Sequence, residues 1–306
     1  MGMPVPDLSF EDFAVIALTC GPARMTAGQF AKRVTYGEEP TTDVLLDVYG
    51  GEANLRVGQA KTAVEMWLER HGGVAIPCTN ALYPANLASV YRHPPVIFCK
   101  GTLAGATTEK AVSIVGSRNA GVGELDYTAV LSQVVGGLGY AIVSGLADGI
   151  DAVAHRVALQ AGYRTVGIIG TPINQYYPKH NKELQDAVSQ RGLLLSQFPP
   201  GYEVTRASFP MRNHTMAAYS QVTLVVSANE KSGTRHQVKE ALSLGRAVII
   251  TRQVAMNTTW GRDLADQAED TPYIGVLDAP QDLPGVLDRV LGNAILVEAP
   301  LACAPC

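Results

Sequence analysis

The chain has 306 residues, of which 47% are hydrophobic and 17% charged. That balance excludes an intrinsically disordered protein, and the length allows two domains at the usual ~100–200 residues each. No apolar run is long enough to cross a bilayer. The first residues, MGMPVPDLSFEDF, lack the basic start and apolar core of a secretory signal, so a cytoplasmic protein is expected.

The net charge of −4 argues at first sight against an anionic partner, but its distribution does not. Residues 90–252 hold 16 Lys+Arg against 10 Asp+Glu, whereas the rest of the chain holds 8 against 18. A basic middle between acidic ends points to a local anionic ligand. The five cysteines are odd in number and scattered, which excludes a disulfide framework. Cys303 and Cys306 form a CxxC, but no second pair or histidine cluster supplies the four ligands of a structural zinc, so no metal or cofactor is expected.

Along the chain, residues 1–73 read as a small helical domain. FEDFAVIALT and AKTAVEMWLERHGG repeat apolar residues at helical spacing, and Gly72–Gly73 stop the second run. GEEPTTD and YGGEANLRVG between them read as turns, with a helix-hairpin-helix as one reading of LRVGQA. Residues 74–252 change period. VAIP, VIFCKG, AVSIVGS, AIVSG, TVGIIG, LLLSQF, TLVVSA and AVIIT are strand-length runs rich in Val and Ile. Helical patterns such as ELDYTAVLSQVVGGLG, AVAHRVALQAG, NKELQDAVSQRG and RHQVKEALSLG lie between many of them. This alternation predicts an α/β fold, a doubly wound, Rossmann-like, mainly parallel sheet. Residues 253–306 read as an acidic extension with one strand-like run, YIGVL, and one helix, QDLPGVLDRVLGNA.

Ligands of such sheets bind at strand carboxyl ends, which directs attention to five loops. Gly116, Ser117 and Arg118 follow a strand and precede a helix. Glycine permits close approach of a phosphate, the helix offers free N–H groups, and Arg118 adds a bidentate donor. Neither GxGxxG nor GxxxxGK[ST] occurs. Ser144 and Gly145 open SGLADGIDAVAH, where Asp151 and His155 read either as an acid–base pair or as a helix cap and a packed histidine. Tyr176, Tyr177, Lys179, His180 and Lys182 combine aromatics with cations, which suits stacked bases beside phosphates. Arg212, Asn213 and His214 open a further helix. Ser232, Gly233 and Thr234 form a second anion-binding turn. Together the loops predict one pocket.

The series YPANLASVYRHPPVIFCKG, IVGSR, IVSGLADGIDAVAH, YYPKHN, LLLSQFPPG, FPMRN and a strand–SGT–helix turn, over about residues 80–252, resembles the DprA/Smf DNA-processing family. The resemblance implies a homodimeric protein that binds single-stranded DNA and hands it to a RecA-type recombinase during DNA uptake, without catalysis. It implies phosphate contacts at Gly116, Ser117 and Arg118, with Lys179, Arg212 and Ser232–Thr234 lining the pocket. It also places a SAM-like domain at residues 1–72. The chain departs from the family's usual RNR at Arg212-Asn213-His214, from its glutamate at Ser227, and from its SE at Ser196-Gln197. The Pro-Gly that often follows the family's last strand is missing after Thr251, and the winged helix of many members is not recognisable in the tail. The alternative is a nucleotide sensor of the same superfamily. A phosphoribohydrolase is disfavoured because Lys231-Ser232-Gly233-Thr234 lacks the glycine-rich lead of PGGxGTxxE.

Overall fold

A computed structural model describes residues 6–105 and 110–294. Cys303 and Cys306 therefore lie outside the described residues. In chain order the elements are α1 (Phe10–Cys20), α2 (Ala27–Phe30), a π turn (Ala31–Thr35), α3 (Thr41–Tyr49), α4 (Ala53–His71), β1 (Val74–Pro77), α5 (Ala85–Ala88), β2 (Val96–Gly101) and β3 (Ala111–Val115). Then come α6 (Val122–Gly137), β4 (Ala141–Ser144), α7 (Ile150–Ala161), β5 (Thr165–Ile169), α8 (Lys182–Arg191), β6 (Leu193–Ser196), α9 (Ser208–Tyr219) and β7 (Val222–Val225). The chain continues through α10 (Thr234–Ser243), β8 (Ala247–Thr251), α11 (Arg252–Asn257), α12 (Thr259–Gln267), β9 (Ile274–Leu277) and α13 (Leu283–Ala294).

Every predicted strand forms, and they join one sheet in the order β1-β2-β6-β5-β4-β3-β7-β8-β9. The doubly wound, mainly parallel α/β fold is as predicted, with one departure. β1 pairs antiparallel with β2, and β2 antiparallel with β6. A short apolar run encodes burial and not direction, so sequence alone could not show this. By contacts the chain divides into two units, residues 1–109 with 167–215, and residues 110–166 with 216–306. The division passes through β5 and α9, and falls at neither of the boundaries expected at 73 and 252.

In the first unit α1 and α4 pack on β1. The stretch LRVGQA lies inside α4, so no hairpin turn occurs there, and Gly58 is simply exposed on a continuous helix. TTDVLLDVY, whose first three residues and last residue were read as parts of turns, forms α3, which buries Val44 and Leu45.

In the second unit β4, β3, β7, β8 and β9 are parallel neighbours. Val112, Ile114, Leu224 and Ile249 of this sheet form one core with Leu131 and Val135 of α6, Ile150 and Ala154 of α7, and Leu283, Leu287 and Val290 of α13. Ser113 alternates to the opposite face. There its hydroxyl meets Ser220 Oγ at 2.7 Å and the Met216 carbonyl of α9 at 3.5 Å. The segment expected to be an extension is thus built into this unit. β9 pairs with β8, and α13 closes the core beneath it.

Leu287→Ala should lower unfolding free energy by about 2–5 kcal/mol in urea titrations, the cost of emptying a fully packed site. A value near zero would return this helix to the status of an appendage.

Candidate functional site

The carboxyl ends of β3, β4 and β7 lie within the second unit, and backbone contacts hold their loops together. A Cβ on Gly116 would stand 2.7 Å from Ile150 Cγ1 and 2.9 Å from the Ser227 carbonyl oxygen. Only a glycine lets β3 leave the sheet between α7 and the end of β7. Gly149, at φ +71°, repeats the constraint, since a Cβ there would lie 2.3 Å from the Ser117 carbonyl oxygen. The Ile150 N–H donates to that same carbonyl at 3.3 Å. The Gly116–Arg118 loop is thereby fastened to the start of α7.

Asp151 and His155 have separate duties. The Asp151 carboxylate accepts from the backbone N–H of Gly145 at 3.1 Å and of Ala147 at 3.4 Å, which ties the turn before α7. His155 Nδ1 lies 2.7 Å from Thr165 Oγ1, and both residues are fully buried. The histidine is packed, as the second reading had it, but Asp151 is not a helix cap, since the N-cap of α7 is Gly149 and the carboxylate bonds the turn before it. Ser144 is buried too, its hydroxyl donating to the Ile114 carbonyl at 2.7 Å. Ser144 and Gly145 are thus framework of this loop. Ser117 and Arg118 reach outwards, Arg118 being exposed and without an ion pair among the described residues.

The loop that starts beside Gly116 at Ser227 carries the second turn. Ser232 Oγ accepts from the Thr234 N–H at 3.2 Å and donates to Thr234 Oγ1 at 2.8 Å, closing the start of α10. Gly233 is exposed, as are Lys231, Arg235 and Lys239 around it. The hydroxyl of Ser227 and both amide atoms of Gln237 are buried without a partner. Two contacts from beyond β8 brace these loops. Glu230 accepts from the Thr259 N–H at 2.8 Å and from its hydroxyl. The Thr259 hydroxyl, with that N–H, holds the Glu230 carboxyl below its usual range. Gln253 Nε2 donates to Glu124 Oε1 at 2.9 Å, while Glu124 Oε2 caps the Gly121 N–H at 2.8 Å. Sequence patterns single out none of these braces, because each joins residues far apart in the chain.

Lys179, Arg212 and Asn213 belong to the first unit. Lys179 is exposed on a 3-10 turn. Arg212 is only 6% exposed. Its Nη1 donates to the Ile168 carbonyl at 2.8 Å and its Nε to Asn213 Oδ1 at 3.0 Å, so both side chains serve the join between β5 and α9. Tyr176 and Lys182 meet at Asp186, with the ammonium 5.1 Å from the Tyr176 ring centre. Tyr177 leans on Phe209, ring centroids 5.0 Å apart.

Comparison with known proteins adds an independent line. The family model described as DNA recombination-mediator protein A matches residues 75–266. DNA processing protein DprA of Bacillus subtilis is 37% identical over 180 residues, covering 56% of this chain and 58% of that protein. Its Streptococcus pneumoniae namesake is 32% identical over 237 residues, 73% of this chain and 81% of that protein. The solved S. pneumoniae structure superposes with a TM-score of 0.70 at 25% identity, covering 91% of this chain and 98% of its own. DNA processing protein A of Helicobacter pylori, described with a single-stranded-DNA binding mode, shares the fold at a TM-score of 0.60 and 23% identity, covering 67% and 92%. The chain thus spans less than two thirds of the B. subtilis relative.

Gly149→Ala should cost about 1–3 kcal/mol of stability by urea titration, since a side chain at this φ is strained and its Cβ meets a carbonyl oxygen. An unchanged midpoint would show that the two loops separate without penalty.

Proposed function

The chain belongs to the DNA recombination-mediator protein A family, and on that premise we propose that it binds single-stranded DNA by its backbone phosphates. The observation that carries the proposal is the bracing of two loops at parallel strand ends in the second unit, with Arg118 exposed on one and Gly233 on the other. Gly116, Ser117 and Arg118 form one, and Ser232, Gly233 and Thr234 the other. Both precede helices, whose positive dipole ends favour anions. The cations around them, Arg118, Lys231, Arg235 and Lys239, are exposed. Lys179, on its own unit, is a further phosphate contact in this proposal. Arg212, Asn213, Ser144 and Gly145 shape loops from within.

The chemistry proposed is binding and not turnover. Asp151 and His155 are engaged with backbone N–H groups and Thr165 respectively, which leaves neither poised beside an open loop. Action in DNA processing, assembly as a homodimer, delivery of the strand to a RecA-type recombinase and residence in the cytoplasm complete the proposal. Among the described residues no helix is long and apolar enough to cross a membrane. Two linked copies would double the phosphate sites on one strand, and avidity would offset the weak long-range attraction of a chain with net charge −4.

Labelled oligo-dT should bind in preference to a duplex of equal length in fluorescence anisotropy, because unpaired bases can stack at about 1–3 kcal/mol each. Equal affinity for the two would defeat the proposal, and tighter binding of a free mononucleotide would favour the sensor reading. Arg118→Ala should weaken oligo-dT binding alike across sequences and make the salt slope shallower by about one unit. An unchanged affinity with an intact circular dichroism spectrum would leave Arg118 a bystander.

A further inference from the structure

The first unit holds a cavity of about 200 Å³ that shares no residue with the Gly116–Arg118 and Ser232–Thr234 loops, lined among others by Arg70, His71, Lys100, Tyr176, Gln185 and Asp186. Periodicity explains why three basic side chains meet there. Trp67 of α4 packs edge-on against Phe98 of β2, ring centroids 5.6 Å apart. Arg70 and His71 lie three and four residues beyond Trp67, so they share its helix face. Lys100 lies two residues beyond Phe98, so it shares its sheet face. The Trp67–Phe98 contact therefore aligns Arg70 and His71 with Lys100.

The opposite wall does not neutralise them. Asp186 Oδ1 accepts from the Tyr176 hydroxyl at 2.8 Å, and Oδ2 pairs with Lys182 Nζ at 3.3 Å. Gln185 Nε2 donates to the Gln175 carbonyl at 2.9 Å. Arg70 and Lys100 have no ion pair or side-chain hydrogen bond among the described residues, although Lys100 is half-buried. A cation drawn partly out of water without a counter-charge is unfavourable, and an anion in the cavity removes that cost.

We propose that this cavity is an anion site that takes a phosphate group, held by Arg70 and Lys100 with His71 beside them. Arg70 supplies a fork that matches two phosphate oxygens, and Lys100 a point charge for a third. The volume is below the ~300–1,000 Å³ usual for whole small-molecule sites, which suits one phosphate group and not an entire dinucleotide. The group can come from a free nucleotide or from a DNA strand. The inference does not depend on the DNA-binding role of the strand-end loops.

The test is calorimetric titration of inorganic phosphate into the full chain at low salt. The wild-type protein should show saturable binding. Lys100→Gln and the surface variant Arg70→Gln should each weaken it about tenfold, the loss of one charge-assisted hydrogen bond, with melting temperatures unchanged. Lys61→Gln, at an exposed position of α4 that does not line the cavity, should bind phosphate as the wild type does. Competition by oligo-dT would assign the phosphate to a strand, whereas competition by dTMP alone would assign it to a free nucleotide. No saturable binding, wild-type affinity in both Lys100→Gln and Arg70→Gln, or loss of binding in Lys61→Gln would overturn the proposal. Oligo-dT anisotropy, measured separately, would still report on the strand-end loops.

Discussion

The approach of three chain segments at Gly116 sets the geometry of the second unit. β3 ends there between the Ser227 carbonyl and the side chain of Ile150, each within 3 Å of where a Cβ would stand. β3 is also the strand from which the sheet runs both ways, with β4 on one side and β7 on the other. Loops leaving such a strand and its neighbour diverge and open a crevice at their carboxyl ends. The missing side chain at 116 lets the segments close below, so that Ser117 and Arg118 are presented above.

Polar groups around this junction divide by burial into frame and surface. Asp151, Ser144 and Thr165 are buried and satisfy backbone or imidazole groups that would otherwise lose water without replacement. Arg212 does the same in its own unit by holding the Ile168 carbonyl. Arg118, Lys231 and Arg235 are exposed and keep their donors on the solvent side. A motif such as SGLADGIDAVAH or FPMRN thus contains residues of two kinds. Those that fix the loop are as necessary to the site as those that face a ligand, yet they need never touch it.

The strands were legible because parallel strands buried on both faces are continuous apolar runs, as in Ala141–Val143 and Ala247–Ile250. Helices with thin apolar faces were not. α4 buries Ala53, Val57 and Ala60 along its first turns, small residues with little periodic signal, and its exposed Gly58 imitates a break. α11 and α12 are polar, and their marks are the N-caps Thr251 and Thr258, which accept from the N–H of Val254 and Gly261. Loop residues were legible as types but not as neighbours. Nothing in FPMRN says that Arg212 turns inward, and nothing in ERHGG or FCKG says that Arg70 and Lys100 line one cavity. Those facts depend on which elements pack together, and composition carries no record of it.

The acidic end of the chain changes meaning once its contacts are considered. Its charges suggested an acidic extension. In the structure Leu283, Leu287 and Val290 complete the core, and the segment just after β8 reaches back to the site. Thr259 holds Glu230, at the head of the loop that carries Ser232, and Gln253 holds Glu124, at the start of α6. Both tethers end on carboxylates, Glu230 and Glu124. Binding Glu230 to an N–H and a hydroxyl occupies its oxygens and turns its charge towards α12. Lys231 and Arg235 remain exposed, with Glu230 still within electrostatic reach of Arg235. A protein of net charge −4 can in this way keep a locally positive edge, because its acids are engaged where its bases are exposed.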